Sequence, residues 1–173
     1  GARVNCKIFT EGSHDVNIFG RGVVHPDGRG SGFCVRRSKN VRIDGIVVSQ
    51  LPIGQCDSVE LMNVKSISYY GWGDGMDVFS SSNVILDGVF CRNSDDCAAV
   101  YASTQGFKGG SNNVLVKNAT LWADVAHPIN IGGHGDPNGM DTVQNVTFRN
   151  IDILDQAEKQ IDYQGCLAIN PGD

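Results

Sequence analysis

The chain has little that would place it among nucleic-acid, membrane or metal-thiolate proteins. Its 14 Lys and Arg against 19 Asp and Glu leave a formal net charge of -5, with no basic run, which argues against nucleic acid as a partner. Nothing approaches about 18 consecutive apolar residues, so neither a transmembrane helix nor a membrane partner is expected. The N-terminal GARVNCKIFT lacks the charged-then-apolar pattern of a signal peptide. Cys6, Cys34, Cys56, Cys91, Cys97 and Cys166 form no CxxC pair, which excludes a zinc ribbon or a thioredoxin motif. Their even number would suit disulfides in an exported protein, yet the expectation is mostly free, buried thiols, with Cys97 and Cys166 at equivalent places in a repeat. Cysteine therefore does not decide the compartment. Helical spacing is poor throughout, because Gly and Asn interrupt every candidate helix.

What is present is a repeat. A polar residue followed by Val, then alternation and often Asn or Gly, recurs as DVNIFG, NVRIDG, SVELMN, NVILDG, NVLVKN and NVTFRN, with Val at 16, 41, 59, 84, 114 and 146. Each copy is too short to fold alone and alternates with period two, so Val84, Leu86 and Val89 face one way while Ile85 and Asp87 face the other. Short strands and turns recurring every 18 to 32 residues are what a parallel β-helix needs, each coil stacking on the last. Asn40, Asn63, Asn83, Asn113, Asn118, Asn145 and Asn150 suit its turns, because Asn tolerates left-handed backbone. With 173 residues and 22 Gly against 5 Pro, the chain reads as one all-β domain over 1–173, of about six to seven coils. Neither end shows a capping element, so the expectation is a solenoid lacking its terminal coils or caps, which either associates end to end with itself or is the middle of something longer. Two Gly-rich stretches, 103–113 and 132–142, would rise from one edge of one face. They either wall a cleft or are tolerated surface insertions.

Three acids stand out in GWGDGMDVFSSSNVILDGVFCRNSDDCAAVYA. A shift of 21 residues lays Asp74 over Asp95, Met76 over Cys97, Val78 over Ala99 and Phe79 over Val100. On neighbouring strands the acids would then sit about 4.8 Å apart along the stack. Crowded carboxylates raise one another's pKa, a cost that marks a site when something uses it. Asp77, in a DG-containing turn, reads as structural. Asp95 and Asp96 enter an apolar strand, where no turn needs both.

WGDGMD with Asp74, NSDDCAAV with Asp95 and Asp96, and AHPINIGG with His127 resemble, in order, the motifs of the polygalacturonase family, glycoside hydrolase family 28. NVRIDGI and SQLPIGQ resemble the coils that precede that family's site. The resemblance implies a right-handed single-stranded parallel β-helix, a hand that also follows the general preference of crossovers. It further implies a secreted or periplasmic hydrolase that cleaves a polysaccharide with inversion, without cofactor or metal. Asp95 would be the general acid, Asp74 and Asp96 would hold and activate water, and His127 would support the acid or position sugar. Substrate contacts are expected from Trp72, Tyr101, Lys108, Asn130 and His134. Three acids that cannot all ionise cheaply agree with that division, since one must keep a proton for the leaving oxygen.

Two departures bear on the substrate. Trp72 replaces the Asn that the family carries two residues before its first Asp, and GCLAIN stands where a basic RxK pair would grip galacturonate. Lys108, Arg149 and Lys159 are the cations that could stand in for it. Trp72, Tyr101 and Trp122 would instead suit stacking on neutral sugars, as in the dextranase-like and α-1,3-glucanase-like β-helix enzymes. Two further readings are a Ca²⁺-dependent lyase and a non-catalytic binding or adhesin solenoid. The lyase lacks a nearby Arg or Lys base, and the solenoid gives the acids no reason to align.

Overall fold

The computed structural model describes residues 2–26, 29–156 and 165–170. Among these residues every named strand pairing is parallel, and no helix occurs. The chain winds as a parallel β-helix. The six repeat valines form one continuous register column, Val16 beside Val41, then Val59, Val84, Val114 and Val146. Their neighbours two residues on, Ile43, Leu61, Leu86 and Val116, make a second column, fully buried like Val59 and Val84. Each such side chain contributes about 1.5–3 kcal/mol by leaving water. Ile85 and Asp87 are only half-buried, as alternation requires.

The longest strands, Ser111–Ala123 and Val143–Gln156, pair along most of their length, and Ser111–Ala123 also joins both Ser82–Asp87 and Phe90–Asn93. Asn118, at φ 52°, marks the bend between those two sides. The other side is a seven-stranded sheet of Ile8–Glu11, Phe33–Arg36, Ile53–Gly54, Val78–Phe79, Ala98–Tyr101, Ile129–Gly132 and Leu167–Asn170, one strand per coil.

All seven asparagines assigned to turns have φ between 52° and 58°. Several hand a side-chain bond down the stack: Asn113 Nδ2 donates to Asn83 Oδ1 at 2.7 Å, and Asn83 Nδ2 to Asp57 Oδ1 at 2.7 Å. Asn113→Ala should lose that bond and bear left-handed strain, lowering unfolding free energy by about 1–2 kcal/mol in denaturant titrations.

A buried polar column marks another corner. Backbone N–H groups of Cys56 and Ser81 donate to the hydroxyls of Ser81 and Ser111, and that of Ser38 donates to Cys56 Sγ. Cys56 thus takes a hydroxyl's place. It and Cys34 are free and buried, whereas Cys6 and Cys166 are free and exposed. The expectation of thiols fails for Cys97, which is disulfide-bonded to Cys91. The two lie six positions apart in sequence, and their Cα atoms lie 5.7 Å apart across the corner that carries Asn93 to Asp96. Lys159 lies outside the described residues.

Candidate active site

The acids cluster at the edge of the seven-stranded sheet where Val78–Phe79 and Ala98–Tyr101 begin. Their stacking departs from the uniform 21-residue shift. Asp95 N donates to Gly73 O, but Gly75 N donates to Asp96 O and Met76 N to Cys97 O, and by the strands Val78 pairs with Val100 and Phe79 with Tyr101. The later coil has taken up one extra residue around Asp96. Such a bulge re-aims side chains, here turning two adjacent acids toward one cleft.

Close packing holds this corner. A Cβ on Gly75 would meet Cys97 O at 2.2 Å and Cys91 Sγ at 2.8 Å, so only glycine lets the coil of Asp74 lie this near the disulfide. Asn93 Nδ2 donates to the backbone oxygens of Asp74 and Ser49. Ser94 Oγ donates to Tyr70 O and accepts from Gly73 N, fastening the Tyr69–Gly73 turn to the acidic corner. Trp72 crowns that turn at φ 60°, with 83 % of its surface exposed.

The cleft, of about 570 Å³, is lined by Trp72, Asp74, Asp77, Phe79, Asp95, Asp96, Tyr101, Gln105, Ala126 and His134. The four carboxyls are not equivalent. Asp96 is buried and held on both oxygens: its Oδ1 accepts from His127 N at 2.7 Å, and its Oδ2 accepts from Tyr101 Oη at 2.6 Å and Asn130 Nδ2 at 2.8 Å. His127 Nδ1 lies 3.3 Å from the same Oδ1. Asp95 is more open. Burial, then the Asp96 charge, raises its pKa, opposed by the Asp96 N–H that it accepts at 3.0 Å. Burial, then the charges of Asp95 and Asp96, pushes Asp74 up to about 7. Asp77 goes well above the carboxylate range because it is buried against Asp74, with which it shares a hydrogen bond, and its Oδ1 has no hydrogen-bond partner. Burial thus favours the protonated form of Asp77, placed to share a hydrogen bond with Asp74.

Of the residues singled out in the sequence, Trp72, Asp74, Asp95, Asp96, Tyr101 and His134 share this lining. His127 and Asn130 lie just behind it, both buried against Asp96. Tyr101 is itself buried, its ring edge-on to His134 at 4.9 Å and its hydroxyl committed to Asp96, so it offers an anchor for the acid rather than a sugar platform. Lys108 is exposed outside the lining. Arg149 stands beside Lys117 on another side of the solenoid, and Trp122 lies under the Arg92 guanidinium, 4.2 Å from its ring centre. Leu167–Asn170 pairs with Ile129–Gly132 next to the site and presents no basic side chain there.

Sequence reasoning set Asp77 aside as structural and did not assign Phe79 or Gln105 to the site. Period-two alternation would have set Asp77 and Phe79 on one side of their strand, but the DG turn masked it. Both Gly-rich stretches reach the cleft. Gln105 and His134 line it, and Asp141 Oδ2 ties the loops together by accepting from Ser103 N and Asp136 N, each at 3.3 Å.

A sequence model of the family described as Glycosyl hydrolases family 28 matches residues 29–159, well over half of the chain. An exopolygalacturonase of Cochliobolus carbonum is 26% identical, over 87% of this chain and 38% of its own length. Exopolygalacturonase X of Aspergillus niger is 30% identical over 72% of this chain and 24% of its own, and a probable endo-xylogalacturonan hydrolase A of Aspergillus fumigatus is 34% identical over 49% and 18%. The chain thus spans well under half the length of each of these relatives.

Proposed function

Because the chain belongs to the glycosyl hydrolases of family 28, we propose that it carries the catalytic part of an exported polysaccharide hydrolase acting on galacturonan-type, pectic chains. The observation that carries this reading is the convergence of four unequal carboxyls on one open cleft: Asp96 held by protein donors on both oxygens, Asp77 buried against Asp74, and Asp74 and Asp95 less enclosed. Asp95, the more accessible of the two, gives its proton to the glycosidic oxygen as that bond breaks. Asp74 holds and deprotonates the water that attacks the anomeric carbon from the other face, which inverts configuration. Asp96, held on both oxygens by Tyr101, Asn130 and the His127 backbone, keeps the floor rigid and supplies negative charge that helps Asp95 retain its proton. Trp72 offers the exposed ring on which a sugar face stacks. The Cys91–Cys97 disulfide suits an oxidising, extracellular setting.

A Ca²⁺-lyase site fits less well, because Asp96 has both oxygens engaged by protein donors and Asp77 is buried behind Asp74. A neutral-glucan hydrolase is favoured by one observation: among the described residues, the lining of the main cleft contains neither Lys nor Arg. The deciding experiment incubates the chain with polygalacturonate, dextran, α-1,3-glucan and galactan and measures new reducing ends. Release from polygalacturonate is expected. Release from a glucan alone would move the assignment to the neutral substrates, and release from none would leave a binding solenoid.

A further inference from the structure

An anionic polymer cannot rest along a cleft whose described residues supply four carboxyls and neither Lys nor Arg unless positive charge waits elsewhere on its path. The cleft does continue. A narrow gap past Asp74, Asp77, Phe79 and Gln105 reaches Ser31 and Pro52, and beyond it lies a second hollow of about 240 Å³ lined by Arg36, Arg37, Gln105 and Phe107. Gln105 lines every segment, so the loop that bears it walls one groove running up the seven-stranded sheet. Arg36 and Arg37 are the only cations lining that groove among the described residues.

Register gives the distance. Arg36 pairs with Gly54, Gly54 with Phe79, and Phe79 with Tyr101, so Arg36 stands three strand steps from the tyrosine that anchors Asp96, about 14 Å at roughly 4.8 Å per step. That reach corresponds to a few sugar units of an extended chain.

The two arginines differ in what already holds them. Arg37 pairs with Glu11 at 2.8 Å, and its guanidinium sits 5.2 Å from the centre of the Phe107 ring. Phe107 can lie there because residue 54 is glycine: a Cβ at that position would come within 2.3 Å of the ring. Arg36 meets the Phe9 ring at 5.9 Å, and among the described residues no carboxylate pairs with it. Its fork of donors is free for an incoming acid.

We propose that Arg36, with Arg37 fixed beside it, forms a carboxylate-reading subsite that takes a uronate unit of the polysaccharide a few sugars from the bond being cut, supplying on the N-terminal side of the acids the cationic grip that Leu167–Asn170 lacks on the other. The subsite rests on the hydrolase reading for its substrate, but its binding role is separable from cleavage.

The test compares wild type, Arg36→Gln and Arg36→Lys on oligogalacturonates long enough to reach Arg36, on oligogalacturonates too short to reach it, and on carboxyl-reduced long chains. Cleavage is followed by kcat/KM and binding by calorimetry. Arg36→Gln should weaken binding of long acidic chains and lower their kcat/KM about tenfold or more, the size of a lost charge-assisted contact. It should leave short and carboxyl-reduced chains unaffected, with partial recovery in Arg36→Lys. Equal losses on short and long chains, or no loss on long ones, would overturn the subsite even with hydrolysis intact. A wild type that cleaves nothing but binds long acidic chains through Arg36 would sink the hydrolase reading and leave the subsite standing.

Discussion

Asp95→Asn is expected to lower the rate of reducing-end release by about 10²–10⁴-fold while binding of the same oligosaccharide changes little. The amide keeps the shape and the hydrogen bond that Asp95 accepts from Asp96 N–H, but it carries no proton acidic enough to give to a leaving sugar oxygen. The same substitution in a binding solenoid would leave affinity and every other readout unchanged, so a full-rate Asp95→Asn variant rules out the proposed acid.

The fold was legible because one signal repeats. Val16, Val41, Val59, Val84, Val114 and Val146 are each followed by an apolar residue two places on, and period-two burial leaves those columns no alternative but to stack. The turn asparagines were legible for a local reason, since left-handed backbone needs a residue that tolerates it. The slip at Asp96 was not. Shifts of 21 and 22 residues both lay apolar over apolar, Val78 over Ala99 or over Val100, so hydrophobic matching cannot choose between them. Only the backbone bonds at Gly75 and Met76 show where the extra residue goes.

The site was half legible for a related reason. Composition and order pointed to Asp74, Asp95 and Asp96 but said nothing about which oxygens the protein would use up. That depends on Tyr101, five residues on along the same coil, and on Asn130 and the His127 backbone, one coil later. Tyr101 read as a sugar platform because an aromatic near acids has two uses, and only burial decides between them. The Cys91–Cys97 bond was hidden among the many pairings that six cysteines allow.

Asp74→Asn should separate stability from activity. Asp74 has an ordinary pKa of 3.8 and is held up to about 7 in the folded chain by burial and by Asp95 and Asp96. A carboxyl raised on folding binds its proton more tightly in the native state, so unfolding free energy falls as pH rises from about 4 through about 7. The penalty is full above that window and absent below it. Asp77 and Asp95, also raised, add slopes of the same sign. Asparagine at position 74 can still accept the Asp77 hydrogen bond through its amide oxygen but cannot ionise, which removes one share of the slope. At pH 8 the variant should exceed wild type by on the order of 2 kcal/mol, after allowance for the solvent that still reaches Asp74, or roughly 4–8 °C in Tm. At pH 4 the two should melt together. The stabilised variant should also have lost most of its hydrolysis, because the group whose burial is costly is the one proposed to take the proton from water. Thermal melts across pH 4–8 with paired activity assays check both halves, and a variant less stable than wild type at pH 8 would mean that Asp74 is held by contacts worth more than its buried charge costs.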